Sequence, residues 1–196
     1  GSAFLAAAAA SHPDATRMML TGYADMPAVP APEHCLDEAA LEARYAKGLP
    51  KSFGGYWRPD WPIEMRLVAP DSFFTRRAGQ ASQHCLWMRA RAHLPDDQAI
   101  HRAVLAYASD YSLIDTALVP HGRALFDPAI QIASLDHAMW FHRSFRADDW
   151  VLYVQDSPWT GGARGLCRGS IFSRDGALVA TLAQEGLMRQ RDPEKT

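Results

Sequence analysis

Asp110, Ser134 and Gln184 are polar residues at positions where their neighbours call for apolar ones. A carboxylate, a hydroxyl and a carboxamide that converge can hold and polarise a water molecule. Buried without partners, each such group costs about 1–3 kcal/mol or more. Three of them interrupting apolar stripes therefore suggest a water-handling catalytic centre, provided the elements that carry them can meet.

The first lies in residues 96–118, DDQAIHRAVLAYASDYSLIDTAL. Asp96 follows Pro95 and suits an N-cap. Ile100, Ala103, Tyr107, Asp110 and Ile114 recur at steps of three and four, which is one face of a helix over 97–118. On that reading Asp110 lies in the middle of the face that meets the core. In the other reading the stripe frays near Ala108 and Ser109, and Asp110 caps a second helix.

The other two lie on strands. In residues 129–142, AIQIASLDHAMWFH, alternation puts Ile130, Ile132 and Ser134 on one face, which Asp136, Ala138 and Trp140 continue. In residues 177–189, ALVATLAQEGLMR, Leu178, Ala180, Leu182 and Gln184 share a face, with Met188 beyond Gly186. The bland alternatives are a small core hydroxyl at Ser134 and an amide capping a strand irregularity at Gln184.

Other chemistries are weaker. Ser134, Asp136 and His137 suggest a serine nucleophile, but residues three apart on one strand point oppositely and no G-x-S-x-G elbow is present. His137 and His142, five apart, face opposite ways and read as core or interface histidines. His101 is the only histidine in the helix, and it falls off the apolar stripe, which counts against a histidine-based dehydratase. Arg164 and Arg168 flank the glycine turn and have the chemistry to meet phosphates, although solvated edge arginines are the simpler reading. Trp87, Trp140, Trp150 and Trp159 read as core or subunit-interface residues.

Composition sets the limits. The chain has 196 residues, 48% of them hydrophobic, enough for a real core in one large domain or one and a half small ones. A net charge of −2 leaves no electrostatic footprint for nucleic acid. No apolar run is long enough to span a membrane. Residues 3–10 resemble a short signal-peptide core, but they lack a basic flank, so export is not expected. Cys35, Cys85 and Cys167 are odd in number and widely spaced, which fits a reducing compartment. The last residues, Pro193 to Thr196, are not a peroxisomal address, and the cytoplasm is the expected location.

Along the chain, residues 3–10 are compatible with a strand or a short helix, 24–34 form a Pro-rich linker, and 37–47 a short helix closed by Gly48. Strands are predicted at 63–68, 83–93, 130–142, 150–157, 165–173 and 177–189, with the long helix between the second and third. Asp175-Gly176 and Gly161-Gly162 mark tight hairpins. The outcome is an α+β fold, one helix packed on a curved, mainly antiparallel sheet.

Three segments, AYASDYSLIDTAL, PAIQIASLDHAMWFHRSFRADDWVLY and SPWTGGARGLCRGSIFSRDGALVATLAQEGLMR, resemble the C-terminal half of the acyl-CoA thioesterase II family. The resemblance implies a hotdog fold, a long central helix wrapped by the sheet, and hydrolysis of acyl-CoA to free acid and coenzyme A. It also implies a catalytic Asp, Ser or Thr, and Gln, which fall on Asp110, Ser134 and Gln184. No cofactor or metal is expected, since coenzyme A belongs to the substrate. The chain then divides into a remnant or extension (1–26), a Pro-rich linker with a short helix (27–62), a hotdog domain (63–190) and a tail (191–196). The family carries a further hotdog unit before the linker, and little precedes the linker here. A homo-oligomer, or pairing with a separate N-terminal hotdog, is the expected remedy for the open sheet edge. A non-catalytic acyl-binding module lacking its first half is the competing expectation.

Overall fold

The computed structural model of the protein describes residues 25–48 and 60–191. The expectations for residues 3–10, for part of the linker at 27–62 and for most of the tail fall outside them.

Seven strands form one antiparallel sheet: β1 (Ile63–Leu67), β2 (Gln83–Ala90), β3 (Ile130–Ser134), β4 (Ala138–Phe141), β5 (Val151–Gly161), β6 (Arg164–Ser173) and β7 (Leu178–Gln190). Their order is β1-β2-β5-β6-β7-β3, with β4 pairing β7 beside β3. Among the described residues, three α-helices accompany them: α1 (Glu38–Tyr45), α2 (Pro70–Phe74) and α3 (Gln98–Ser109). The Asp37 carboxylate caps α1 by accepting from Ala40 N–H at 2.9 Å. The two predicted hairpins join β5 to β6 and β6 to β7; at the first, Gly162 and Ala163 both take positive φ, as a two-residue turn of that hand requires.

Alternation decides the layers. Leu86, Met88 and Ala90 of β2, Val151 and Tyr153 of β5, Ile171 of β6, and Ala180 and Leu182 of β7 face inward. They pack with Leu105 and Ala108 of α3 in one core. Each fully buried leucine here contributes about 1.5–3 kcal/mol. On the outer face Trp87, Trp150, Leu152 and Phe172 form a second cluster, overlaid by Met26 and Val29 of the Pro-rich segment. Trp87 Nε1 donates to Pro30 O at 2.9 Å and ties that segment down.

Five sequence expectations need correction. The N-cap of the long helix is Asp97, whose carboxylate accepts from Ala99 N–H at 2.8 Å, and not Asp96. The helix ends at Ser109, not at residue 118; a 3₁₀ segment, Leu113–Leu118, follows and is wholly buried. Ser109 Oγ donates back to Ala106 O at 3.0 Å, a bond that competes with the helical ladder at that turn. The buried face of α3 is His101, Leu105 and Ala108, one residue displaced from the predicted stripe. Ile100 and Tyr107 of that stripe are 36% and 58% exposed. The predicted strand 130–142 is two strands, broken at Leu135, Asp136 and His137. Leu178 joins the outer cluster, because the β6/β7 register shifts between Ile171 and Phe172.

Candidate active site

Asp110, Ser134 and Gln184 meet. Gln184 Nε2 donates to Asp110 Oδ1 and, at 2.8 Å, to Ser134 Oγ. Ser134 Oγ lies 3.5 Å from Asp110 Oδ1 and completes the triangle. Their environments differ from the expectation of three buried groups. Gln184 is fully buried, whereas Asp110 and Ser134 are exposed. Gln184 Oε1 is buried with no hydrogen-bond partner among the described residues.

Each element explains its part. Gln184 sits on the inward face of β7, in alternation with Ala180 and Leu182. Ser134 is the last residue of β3 and stands opposite Gly186 of β7. A Cβ at Gly186 would lie 1.7 Å from Ile114 Cδ1, so glycine there makes room for the Ile114 side chain against β7 beside Gln184. Asp110 follows the last residue of α3 with φ −74° and ψ −18°, and Tyr111 N–H reaches Ala108 O at 3.4 Å in a tightened final turn. The fraying alternative in the sequence is therefore right about where the helix ends and wrong about the cap: Ser112, not Asp110, precedes the 3₁₀ segment, and the Asp110 carboxylate belongs to a cluster instead.

Around the triangle lie residues that sequence reasoning passed over. Ser109 is fully buried, and its carbonyl accepts from Tyr153 OH at 3.1 Å. Burial, together with the nearby Cys167 and Asp110, raises the Tyr153 phenol well above its ordinary range, so it stays a donor. Gln155 Nε2 donates to Ser112 Oγ at 2.6 Å, and Thr116 Oγ1 donates to Gln155 Oε1 at 3.1 Å. Thus the segment is pinned to β5 on both sides of Asp110. His137 Nε2 lies 3.1 Å from Ser109 Oγ. Residues three apart point oppositely only along an unbroken strand, and this one breaks between Ser134 and Ala138. Leu135 N–H donating to Glu185 O, and Asp136 Oδ1 accepting from Glu185 N–H, turn the chain out of the sheet there. The pairing is with Ser109 and not with Ser134; Ser109, with no exposed surface, is out of reach as a nucleophile.

The remaining candidates lie elsewhere. Arg164 pairs with Glu185 at 3.3 Å and Arg168 with Asp156. His142 Nε2 meets Thr181 Oγ1 at 2.9 Å. His101 is buried under the helix, its Nδ1 accepting from Ala147 N–H at 3.1 Å. Nine residues of chain separate it from Asp110, about 13 Å along the helix. Trp87 and Trp150 are buried, while Trp140 and Trp159 are 56% and 48% exposed.

Residues 58–187 match the family described as acyl-CoA thioesterase. The chain belongs to the acyl-CoA thioesterase family. Among its relatives, acyl-coenzyme A thioesterase 8 of Mus musculus is 43% identical over 171 residues, covering 84% of this chain and 52% of that protein. Acyl-CoA thioesterase 2 of Haemophilus influenzae is 37% identical over 164 residues, covering 84% and 57%. The crystal structure of acyl-CoA thioesterase II TesB2 from Mycobacterium marinum superposes with a TM-score of 0.66 at 39% identity, over 88% of this chain and 59% of that one. A protein with a hot dog fold from Alicyclobacillus acidocaldarius, 20% identical with a TM-score of 0.60, shares the fold. The chain thus has the hotdog fold, and it spans little more than half the length of these curated relatives.

Proposed function

We propose that this chain supplies the catalytic half of an acyl-CoA thioesterase, with Asp110, Ser134 and Gln184 holding the attacking water. The observation that carries this reading is the Gln184 amide. It is buried, it donates to both Asp110 and Ser134, and its Oε1 is left as an unused acceptor. Asp110 and Ser134, which the buried amide holds together, are themselves exposed, so a water can reach their oxygens.

The chemistry follows from those groups. A water held by Gln184 and Ser134 gives a proton to the Asp110 carboxylate as its oxygen attacks the thioester carbonyl carbon. The carbonyl oxygen takes up the electron pair, and a nearby backbone N–H is the natural donor to it. Collapse breaks the carbon–sulfur bond, and the proton returns from Asp110 to the leaving thiolate. The products are a carboxylic acid and coenzyme A. No acyl-enzyme and no cofactor enter.

The open edge bears on assembly. Ser134 sits on the edge strand β3, and Leu135, Trp140 and Trp159 are exposed together with Ile100 and Tyr107 of α3. Apolar exposure of this extent, with Leu135 directly following the edge strand β3, suits a second hotdog unit, from a second copy or from an N-terminal half. A lone chain that binds acyl-CoA without turnover is the competing outcome.

Hydrolysis of decanoyl-CoA by the wild-type chain and by Asp110→Asn tests the reading, with light scattering on the same samples. The expected result is turnover in the wild type that falls by a hundredfold or more in the variant, of the order given by general-base catalysis. Equal turnover in both removes Asp110 from the mechanism. Binding without turnover by a monomer favours the half-site reading.

A further inference from the structure

We propose that His137 is a positioning residue for Asp110, acting through Ser109. The inference rests on the catalytic role of Asp110 proposed above. Gln184 and Ser134 hold the exposed Asp110 carboxylate, but Asp110 lies beyond the helical ladder, so the backbone that carries it is placed by the residue before it. Ser109 has one hydroxyl hydrogen, which goes to Ala106 O at 3.0 Å. The Ser109 oxygen therefore accepts at its 3.1 Å contact with His137, and His137 Nε2 carries the hydrogen.

His137 is well placed for this. It ends the three-residue break between β3 and β4, which begins next to Ser134. That break is anchored by Leu135 N–H donating to Glu185 O at 2.9 Å and by Glu185 N–H donating to Asp136 Oδ1 at 2.8 Å. Glu185 is adjacent to Gln184 in the chain. One short connection thus links all three members of the triangle: it leaves Ser134, clips onto the neighbour of Gln184, and ends on the neighbour of Asp110. Both neutral Nε2–H imidazole and imidazolium retain the donor, so the bond to Ser109 survives protonation of the ring. His137 is then a fixed strut, not a proton carrier.

The test compares His137→Leu, His137→Gln and Asp110→Asn in decanoyl-CoA hydrolysis. Glutamine places an N–H close to the position of imidazole Nε2, and leucine places none. In His137→Leu, kcat is expected to fall about ten- to a hundredfold, the cost of a misplaced catalytic group, with KM within about twofold. His137→Gln is expected to recover kcat to within about threefold, with an unchanged pH profile. Ser109→Ala removes the acceptor, so adding His137→Leu to it should lower kcat no further. A kcat in His137→Leu equal to wild type, while Asp110→Asn is impaired, overturns the inference and leaves the thioesterase reading standing. Loss of a limb of the pH profile in His137→Gln also overturns it, because that limb would belong to a proton carrier. Full activity of Asp110→Asn sinks the catalytic reading instead. If the wild-type chain does not turn over, the Asp110 carboxyl ¹³C resonance decides: it is expected to shift in His137→Leu and return in His137→Gln, and an unmoved resonance overturns the inference.

Discussion

Gln184 and Asp110, 74 residues apart in the chain, share a hydrogen bond in which a fully buried amide donates to an exposed carboxylate. The amide is immobilised by the sheet and the carboxylate is not, so orientation passes from Gln184 to Asp110. Gln184→Met keeps the volume and removes the donor. The expected outcome is a loss of about a hundredfold in kcat with the near-UV circular dichroism retained. In Gln184→Glu two carboxylates share the position, and one of them becomes harder to ionise. The ascending limb of its pH–rate profile is expected to move to higher pH.

A second prediction concerns acid stability. His84 is 7% exposed, and burial pushes its imidazole down to about 4 against an ordinary 6.5, with Asp115 opposing the shift and Arg76 adding to it. Below the ordinary value the unfolded chain takes up a proton that the folded chain refuses. Stability therefore falls as pH drops from about 6.5 to about 4, by about 3 kcal/mol in all. Urea titrations of the wild type and His84→Leu at several pH values check this. The difference between the two should shrink or reverse toward pH 4 and be constant above pH 7.

A third concerns the buried ion pair of Arg76 and Asp115, 4% and 1% exposed at the side chains. Asp115 lies in the 3₁₀ segment and also accepts from Leu125 N–H at 2.9 Å, while Arg76 donates to Phe73 O and Arg123 O. This pair staples the loop after α2 to the segment that follows Asp110. Arg76→Met leaves a buried carboxylate without its cation, a loss of about 3–5 kcal/mol. Calorimetry should show a melting temperature lower by about 10 °C. Adding Asp115→Leu should recover part of it; a double variant as unstable as the single one would place the stability in the other hydrogen bonds instead.

The legible parts of the fold were those with local causes. The strand predicted at 83–93 is β2, which stops at Ala90, and Asp175-Gly176 marked the β6–β7 hairpin, where Gly176 has φ 88°. The face of α3 was misread because its buried stripe contains a histidine. His101 is satisfied on one nitrogen by Ala147 N–H, a partner 46 residues away that no periodicity can reveal. The break at residues 135–137 was missed for the same reason, since it is made by Glu185 of β7.

For the site, residue type and resemblance were enough to select Asp110, Ser134 and Gln184, because an amide, a hydroxyl and a carboxylate at apolar positions are conspicuous wherever they fall. Their burial was not legible. The sequence by itself determined which groups are available, which segments form strands and the two tight turns, all of which depend on neighbours a few residues apart; that β3 and β4 pair β7, and not β5 as a simple meander would have it, it did not determine. Only the tertiary structure decided that Gln184 is buried while its partners are exposed, that Asp110 lies beyond its helix, and that His137 reaches Ser109. Those outcomes depend on which strands lie side by side and where one residue more or less breaks the register, and long-range packing settles both.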